Sequence, residues 1–551
     1  MKRIICAIFV AVMVLSLFAA CKNPTKEKAD DTEKPTGFDI SGYTIVRSDA
    51  AAPSFYSYTS NFKKCLFNYT GADLSVAIDS DVKSADENKE ILLGKTNRKE
   101  SLDAYALLKN DNHYIVESVG NKIVIIGKTD DATVRAMKDF LQNNARASKG
   151  DSHINLDAGY QKKGIANLDS IIFDNFTEFE IEGKYSVFNP GEWVTGIIQY
   201  PSIVRLSDGT LLATYENYGF AYNIHRSTDD GKTWEKISSV KDTLNKEITG
   251  TPYIAEWMPM LYELPVDMGE YKAGTVILAG TSKNEKDRFD KSTITLHAST
   301  DKGLTWNTIC NVDEAPGIVD DLGIWEPFLI YEAKRGRLYC FYSDDSGKNV
   351  EGDHDQKLVY KYTTDLKNWY GKDDKVGVDI DPKEAVACDN PKFRPGMISI
   401  ADMGKGGYIM TYEMVGLPDL QTHCKKTMDL DDWGDVSDYG KPVACGKDSF
   451  GSSSWCAWTP EGGGDCGTLV VVGKHPSPYY STTKGAKMLL SFDYGETFVS
   501  IDNPIPYNVD RCGYSPCLLF SQDGKTLYYV NNPLLKLGNC QEIVLAKIKI
   551  R

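Results

Sequence analysis

The sequence has little of what a metal centre or a membrane span requires. Histidines number seven in 551 residues, and neither a CxxC nor an HExxH pattern occurs, so neither a structural zinc site nor any cofactor is expected. Beyond the first twenty residues, no apolar run approaches the roughly 20 residues that cross a bilayer. Positive charge is in deficit: 62 Lys plus Arg stand against 77 Asp plus Glu, a formal net charge of −15. Such a surface repels phosphate backbones, which excludes nucleic acid as the expected partner. Setting aside Cys6 and Cys21, eleven of the 13 cysteines remain, an odd number that cannot all pair. Cys456 with Cys466 and Cys512 with Cys517 are close enough along the chain to do so. With 42% hydrophobic residues, disorder is excluded and there is material for two or more cores.

Aromatic residues are plentiful, with 31 Tyr and 9 Trp, as in β-rich chains and in proteins that stack sugar rings. The first residues read as an export signal. Lys2 and Arg3 precede the apolar run Ile4 to Phe18, and Phe18-Ala19-Ala20-Cys21 places small residues just before a cysteine. This is the pattern of a bacterial lipoprotein signal over 1–20, with lipidation of Cys21 and a polar tether over 21–39; the competing reading is a secretory peptide cut after Ala20. Removing Lys2 and Arg3 takes the charge to −17. The expected location is the bacterial cell envelope, at the outer membrane's periplasmic or surface face, with membrane contact through lipid only.

The second half repeats. Ser227 to Trp234 (STDDGKTW), Ser299 to Trp306 (STDKGLTW) and Ser491 to Phe498 (SFDYGETF) share S-x-D-x-G-x-T-[WF], and weaker copies lie at Thr363 to Trp369 and Thr427 to Trp433. Their aspartates, Asp229, Asp301, Asp365, Asp429 and Asp493, are spaced by 72, 64, 64 and 64 residues, a period of repeated supersecondary units. Ser and Asp oxygens bond local amides, Gly supplies a positive φ, and the aromatic pins the turn, so these aspartates read as structural. Before the first four copies, and again after the last, stands an aromatic or polar cluster with a Pro: Tyr200-Pro201, Trp257-Met258-Pro259, Trp325-Glu326-Pro327, Phe393-Arg394-Pro395 and Tyr514-Ser515-Pro516. Six second strands follow, from Thr210 to Glu216 through Gly524 to Val530, which makes six blades of a β-propeller over 165–551. The last blade lacks an outer strand, expected from about residues 170–190. The motif resembles the Asp-box repeats of sialidase-like propellers, whose boxes join the outer strands of each blade.

Residues 40–162 lack the repeat and read as a small α+β domain. Its strands are expected at Glu90 to Gly94, Tyr114 to Glu117 and Lys122 to Gly127, with a helix over Thr133 to Asn143 capped by Asp130 and Asp131. Its Gly94-Lys-Thr-Asn-Arg98 and Gly127-Lys-Thr-Asp130 turns resemble the non-catalytic domain ahead of several glycoside hydrolases. The fold class is mainly β, a six-bladed propeller preceded by this domain.

In a propeller the site is expected where inner strands begin and second strands end. That selects Glu256, Trp257, Trp325, Glu326, Arg394, Arg511 and Tyr514, with Glu216, Asp344, Asp345, Glu413 and His475. Glycoside cleavage needs one protonated and one ionised carboxyl, about 5–5.5 Å apart for retention and about 6.5–9.5 Å for inversion. Glu256 and Glu326, 70 residues apart at what read as equivalent points of adjacent blades, are the expected catalytic pair. The others are expected to contact sugar: Glu216, Trp257, Trp325, Asp344, Arg394, Glu413, His475, Arg511 and Tyr514. Tyr200-Pro-Ser-Ile, Trp325-Glu-Pro-Phe-Leu, Tyr342-Ser-Asp-Asp, Arg394-Pro-Gly-Met and Tyr412-Glu413 resemble the exo-arabinanases of glycoside hydrolase family 93. Those are six-bladed retaining enzymes that release arabinobiose from α-1,5-L-arabinan. The resemblance carries its catalytic pair onto Glu256 and Glu326 without fixing which is acid/base and which nucleophile; the assignment favoured is Glu256 as acid/base and Glu326 as nucleophile, with a neutral plant-type glycan as substrate and a monomer expected. True sialidases carry an Arg in the segment where this chain has Gln199-Tyr200-Pro201-Ser202-Ile203, which has none. A sialidase with a Tyr nucleophile and a non-catalytic glycan-binding lipoprotein are the alternatives.

Overall fold

Each S-x-D-x-G-x-T-[WF] segment closes on itself before it packs on anything else. In the computed structural model, the Ser227 hydroxyl donates to Asp229 Oδ1 at 2.8 Å and the amides of Lys232 and Thr233 donate to the same oxygen. The Thr233 hydroxyl donates to Asp229 Oδ2 at 2.6 Å. The turns at Asp301 and Asp493 repeat these bonds, so their carboxylates are occupied in holding backbone. At Gly231 a Cβ would lie 2.4 Å from Leu545 Cδ2, and at Gly303 3.0 Å from Leu212 Cδ1. Glycine is therefore required there both for its φ, +85° and +87°, and for close approach to a neighbouring sheet.

The structure describes residues 37–551 except 147–149, 190–197, 218–220, 285–290, 316–322, 349, 418–420, 475–485, 508–511, 534, 537–538 and 541; at 256, 535–536 and 539–540 it describes backbone only. The chain divides into two units, Met1–Leu168 and Asp169–Arg551.

The second unit is six antiparallel sheets in succession. Blades one to five each have four strands in chain order, beginning with inner strands Gln199–Arg205, Tyr253–Glu263, Ile324–Glu332, Arg394–Asp402 and Ser452–Thr459. Blade six takes Cys517–Phe520, Thr526–Asn531 and Ile543–Ile550, and its outer strand is Glu178–Phe188, paired Phe179 to Ile550 and Ser186 to Val544. The ring therefore closes by pairing the two ends of this unit, as the missing strand of the last blade required. The inner strand of blade five carries no proline signal, because Ser453-Ser454 stands where four other blades have X-Pro.

One detail of the inner strands positions the site. Each blade has a non-glycine residue in the left-handed region at the head of its inner strand: Tyr200, Met258, Glu326, Met397, Ser453 and Ser515, with φ between 50° and 61°. In blades one to five the register with the second strand shifts at this residue, a bulge. The bulge turns that residue toward the axis, and all six blades contribute to one axial cavity lined by Tyr200, Met258, Glu326, Met397, Ser454 and Ser515 among others. A left-handed non-glycine residue costs about 1–3 kcal/mol, so the sheets on either side must hold it there. The ring also corrects the expected alignment. Met258, not Glu256, is the counterpart of Glu326 in blade two, and Met397, not Arg394, is its counterpart in blade four.

The first unit holds a six-stranded mixed sheet with helices Phe55–Thr70, Lys99–Ala106 and Asp130–Phe140. The strand Gln161–Ile165 adds to this sheet beside His113–Val119, so the boundary falls beyond it. The last helix begins earlier than expected, and its cap is Thr129, whose hydroxyl accepts from the Ala132 amide at 3.2 Å; Asp130 and Asp131 lie in its first turn. Inside the sheet, buried Glu90 bridges Arg98 at 3.0 Å and Lys122 at 2.9 Å, a charge cluster that is stable only as a unit. Among the described residues no helix is long and apolar enough to cross a membrane, and the thiols of Cys65, Cys310, Cys340, Cys388, Cys424, Cys445, Cys456 and Cys517 are free, so neither Cys456 nor Cys517 forms the disulfide that its spacing allowed.

Candidate active site

Glu326 is the acidic member of the axial ring. Its backbone sits at the bulge of blade three, and its half-buried carboxylate receives donors from three blades. The Tyr200 hydroxyl of blade one donates to Oε1 at 3.2 Å. Ser343 Oγ, from the second strand of its own blade, donates to Oε2 at 2.7 Å, and the Met397 amide of blade four donates to the same oxygen at 3.0 Å. Both oxygens are thereby fixed in direction. Burial, then the neighbouring charges of Glu413 and Asp345, push the carboxyl up to about 7 against the pull of the Ser343 and Met397 donors.

The second strands supply the next shell of polar groups, and register shows how. Glu216, Ser343 and Glu413 pair with Gln199, Trp325 and Gly396, each one residue before the bulge of its own blade, so they occupy equivalent points. Each holds the head of the following inner strand. Glu216 accepts from the Met258 amide at 3.2 Å and from Gln199 Nε2 at 3.0 Å. Ser343 accepts from the Met397 amide at 3.1 Å. Glu413 accepts from the Ser452 hydroxyl and the Ser453 amide. Glu216 is buried and committed to this bracing, whereas Glu413 is half-buried, and its carboxyl is raised by desolvation against the pull of those donors, Arg394 and Lys474.

Arg394 opens the inner strand of blade four, and its Nη2 lies 3.1 Å from Asp345 Oδ2. Burial pushes the Asp345 carboxyl up to about 6, and the guanidinium opposes this. Trp257 and Trp325 meet edge to face at 6.2 Å, with Lys283 Nζ 4.8 Å and 4.3 Å from their ring centres. Tyr514 meets Tyr200 edge to face at 5.3 Å, and Lys474 Nζ lies 4.9 Å from its ring centre.

Of the expected residues, the structure thus gathers Glu326, Glu413, Arg394 and Tyr514 about the mouth of the axis, with Glu216 behind them and the two tryptophans on the adjoining strand heads. Asp344 does not join them; its carboxylate belongs to a separate groove lined by blade three together with residues of blades two and four. His475 and Arg511 lie outside the described residues, as does the side chain of Glu256, whose backbone runs in the inner strand of blade two. Tyr200, Ser343, Ser452, Lys283 and Lys474 were missed. Tyr200 carried a signal, because Tyr200-Pro201 repeats the Glu326-Pro327 pattern; the serines and lysines carried none. Among the described residues, no three His, Cys, Asp or Glu side chains are grouped as metal ligands.

No family model matches the sequence, and no curated protein does. Solved structures do. An α-L-arabinanase of Penicillium chrysogenum, complexed with arabinobiose, is 27% identical, with a TM-score of 0.55 over 67% of this chain and 98% of its own. The family 93 α-L-arabinofuranosidase of Fusarium graminearum, also with arabinobiose, is 28% identical with a TM-score of 0.55 over 67% and 97%. A complex of an α-L-arabinofuranosidase of the same fungus with an iminosugar inhibitor is 29% identical at the same TM-score and coverage.

Proposed function

We infer, from the premise that this chain is a sialidase-like six-bladed propeller resembling the family 93 glycoside hydrolases, that it is an exo-acting enzyme on a neutral plant-type glycan, of the α-L-arabinan kind. The chain is a glycoside hydrolase of the sialidase-like superfamily, and a carbohydrate is its substrate. The observation that carries the finer reading is the Glu326 carboxylate, aimed at the axis and held by donors from three blades. A carboxylate so oriented suits attack on an anomeric carbon, where direction matters more than basicity. Glu256, two residues ahead of the neighbouring bulge, takes the acid/base role. It gives its proton to the leaving oxygen, then takes one from the water that releases the glycosyl group from Glu326.

The test is to incubate the purified protein with arabinan oligosaccharides, other plant glycans and a sialoside, following the first-formed anomer by proton NMR. Release of an arabinose-containing product with retained configuration is expected. Cleavage of the sialoside alone, or an inverted first product, sinks the reading.

A pH dependence follows. The nucleophile works ionised, and the folded protein holds Glu326 near 7, above the ordinary glutamate range, so kcat/KM is expected to rise with pH through about 7. Glu413→Gln removes a neighbouring negative charge, so that limb moves to lower pH. A limb that stays in place, or moves up, contradicts the assignment of Glu326 as the ionising group.

We also propose that the mature chain is anchored to the cell envelope through acylated Cys21, on the strength of the leader's sequence. Cys21→Ser is expected to move the protein from the membrane fraction to the soluble one in a cell fractionation; retention in the membrane fraction argues for another attachment.

A further inference from the structure

Asp344 stands apart from the axial cluster because it faces a large groove of its own. The groove has a volume of about 890 Å³, at the upper end of the range for small-molecule sites. Its wall includes Ile324, Asp344, Ser346, Lys357, Val378 and Glu384. Asp344 ends the second strand of blade three and pairs in register with Ile324 on one side and Lys357 on the other. The groove therefore starts two residues from Glu326 along the inner strand and one residue from Asp345, at the same ends of the same strands that build the site.

Within it is a carboxylate oxygen open to a ligand. Asp344 is 7% exposed. Its Oδ1 accepts from the Ser346 amide at 2.9 Å and from the Ser346 hydroxyl at 2.5 Å, while Oδ2 has no hydrogen-bond partner among the described residues. That oxygen is not enclosed by protein, so it stays accessible from the groove and open to a donor from a ligand. Directly opposite, Lys357 Nζ lies 3.3 Å from Asp353 and 3.5 Å from Glu384, contacts long enough to leave the ammonium room for another acceptor. Opposed positions on paired strands put such groups about 5 Å apart at Cβ, which matches two adjacent hydroxyls of a sugar, one donating and one accepting. Among the described residues the charged lining is eight carboxylates against four lysines, which disfavours uronate or sulfate groups and favours uncharged ones. No aromatic side chain lines it among the described residues, so hydroxyl bonding rather than ring stacking must hold a ligand there.

We propose that this groove is a second carbohydrate-binding stretch. It takes the sugars of a neutral glycan that extend beyond the axis, with Asp344 Oδ2 and Lys357 Nζ as its hydroxyl-binding pair. This rests on the hydrolase reading above and deepens it: the substrate is a chain of several residues rather than a disaccharide or a small glycoside. The experiment is a ladder of arabinan oligosaccharides of increasing length, scored by kcat/KM on active protein and by calorimetric Kd on Glu326→Gln. Wild type is expected to gain tenfold or more in kcat/KM from the shortest cleaved member to the longest. Val378→Trp, which fills the groove, and Lys357→Met, which removes its donor, each bring that ratio toward one, and Kd for the longest member weakens by a similar factor. Length independence in wild type, or a ratio that survives both substitutions, overturns the groove and leaves Glu326 standing. Full turnover by Glu326→Gln overturns both.

Discussion

Glu326→Gln is expected to lower kcat on a verified glycan by at least ~10³-fold while leaving the melting temperature close to that of wild type. The two halves of this expectation come from the same contacts. A glutamine can place its amide oxygen where Oε2 now accepts from Ser343 and Met397, and its NH₂ toward Tyr200, whose hydroxyl oxygen can accept. The bracing of blade one, blade three and blade four around the axis therefore survives. What disappears is the anion, and with it, on the mechanism proposed above, the covalent glycosyl intermediate, for which an amide is no substitute. Initial rates on the best arabinan oligosaccharide, paired with a thermal melt, check both halves. Activity within tenfold of wild type removes Glu326 from the mechanism; a large drop in melting temperature would show instead that its role is structural.

How much of this was legible beforehand depends on which residues carry the signal. The six blades were readable because the turn at each S-x-D-x-G-x-T-[WF] segment is locally determined: Ser227, Asp229, Gly231 and Thr233 satisfy one another within seven residues. The closure by Glu178–Phe188 was readable too, since an unpaired last strand needs a partner. Register at the axis was not. It is set by bulges, and a bulge inserts a residue without leaving a fixed motif. Pro marks it at Tyr200, Met258, Glu326 and Ser515, but Met397 precedes Ile398, and the nearby Arg394-Pro395 imitates the pattern three residues early. The same shift made Glu256 look equivalent to Glu326. Ser343 was invisible for another reason: a serine near a strand end becomes important only once the fold brings Glu326 and the Met397 amide to it.

The offset between Glu256 and the bulge bears on the second large effect, that of Glu256→Gln. If this residue is the acid/base, its loss should depend on what leaves. With an arabinan oligosaccharide, whose leaving alkoxide needs a proton, kcat/KM is expected to fall by ~10²–10⁴-fold. With an aryl arabinoside carrying a low-pKa phenol, the first step needs little acid help, so the glycosyl group should accumulate on Glu326 and appear as a burst of phenol. Azide, which needs no general base, should then speed release and give a glycosyl azide of retained configuration. Glu326→Gln should show none of these responses, because it has no nucleophile to form the intermediate. The pair of variants thus assigns the two roles separately, and the assignment does not depend on how far apart the carboxyls stand. Equal losses for Glu256→Gln on both leaving groups, with no burst and no azide effect, would transfer the acid/base role elsewhere. Glu413 is then the next carboxyl to test, being half-buried, raised by desolvation and close enough to Glu326 for its charge to act there.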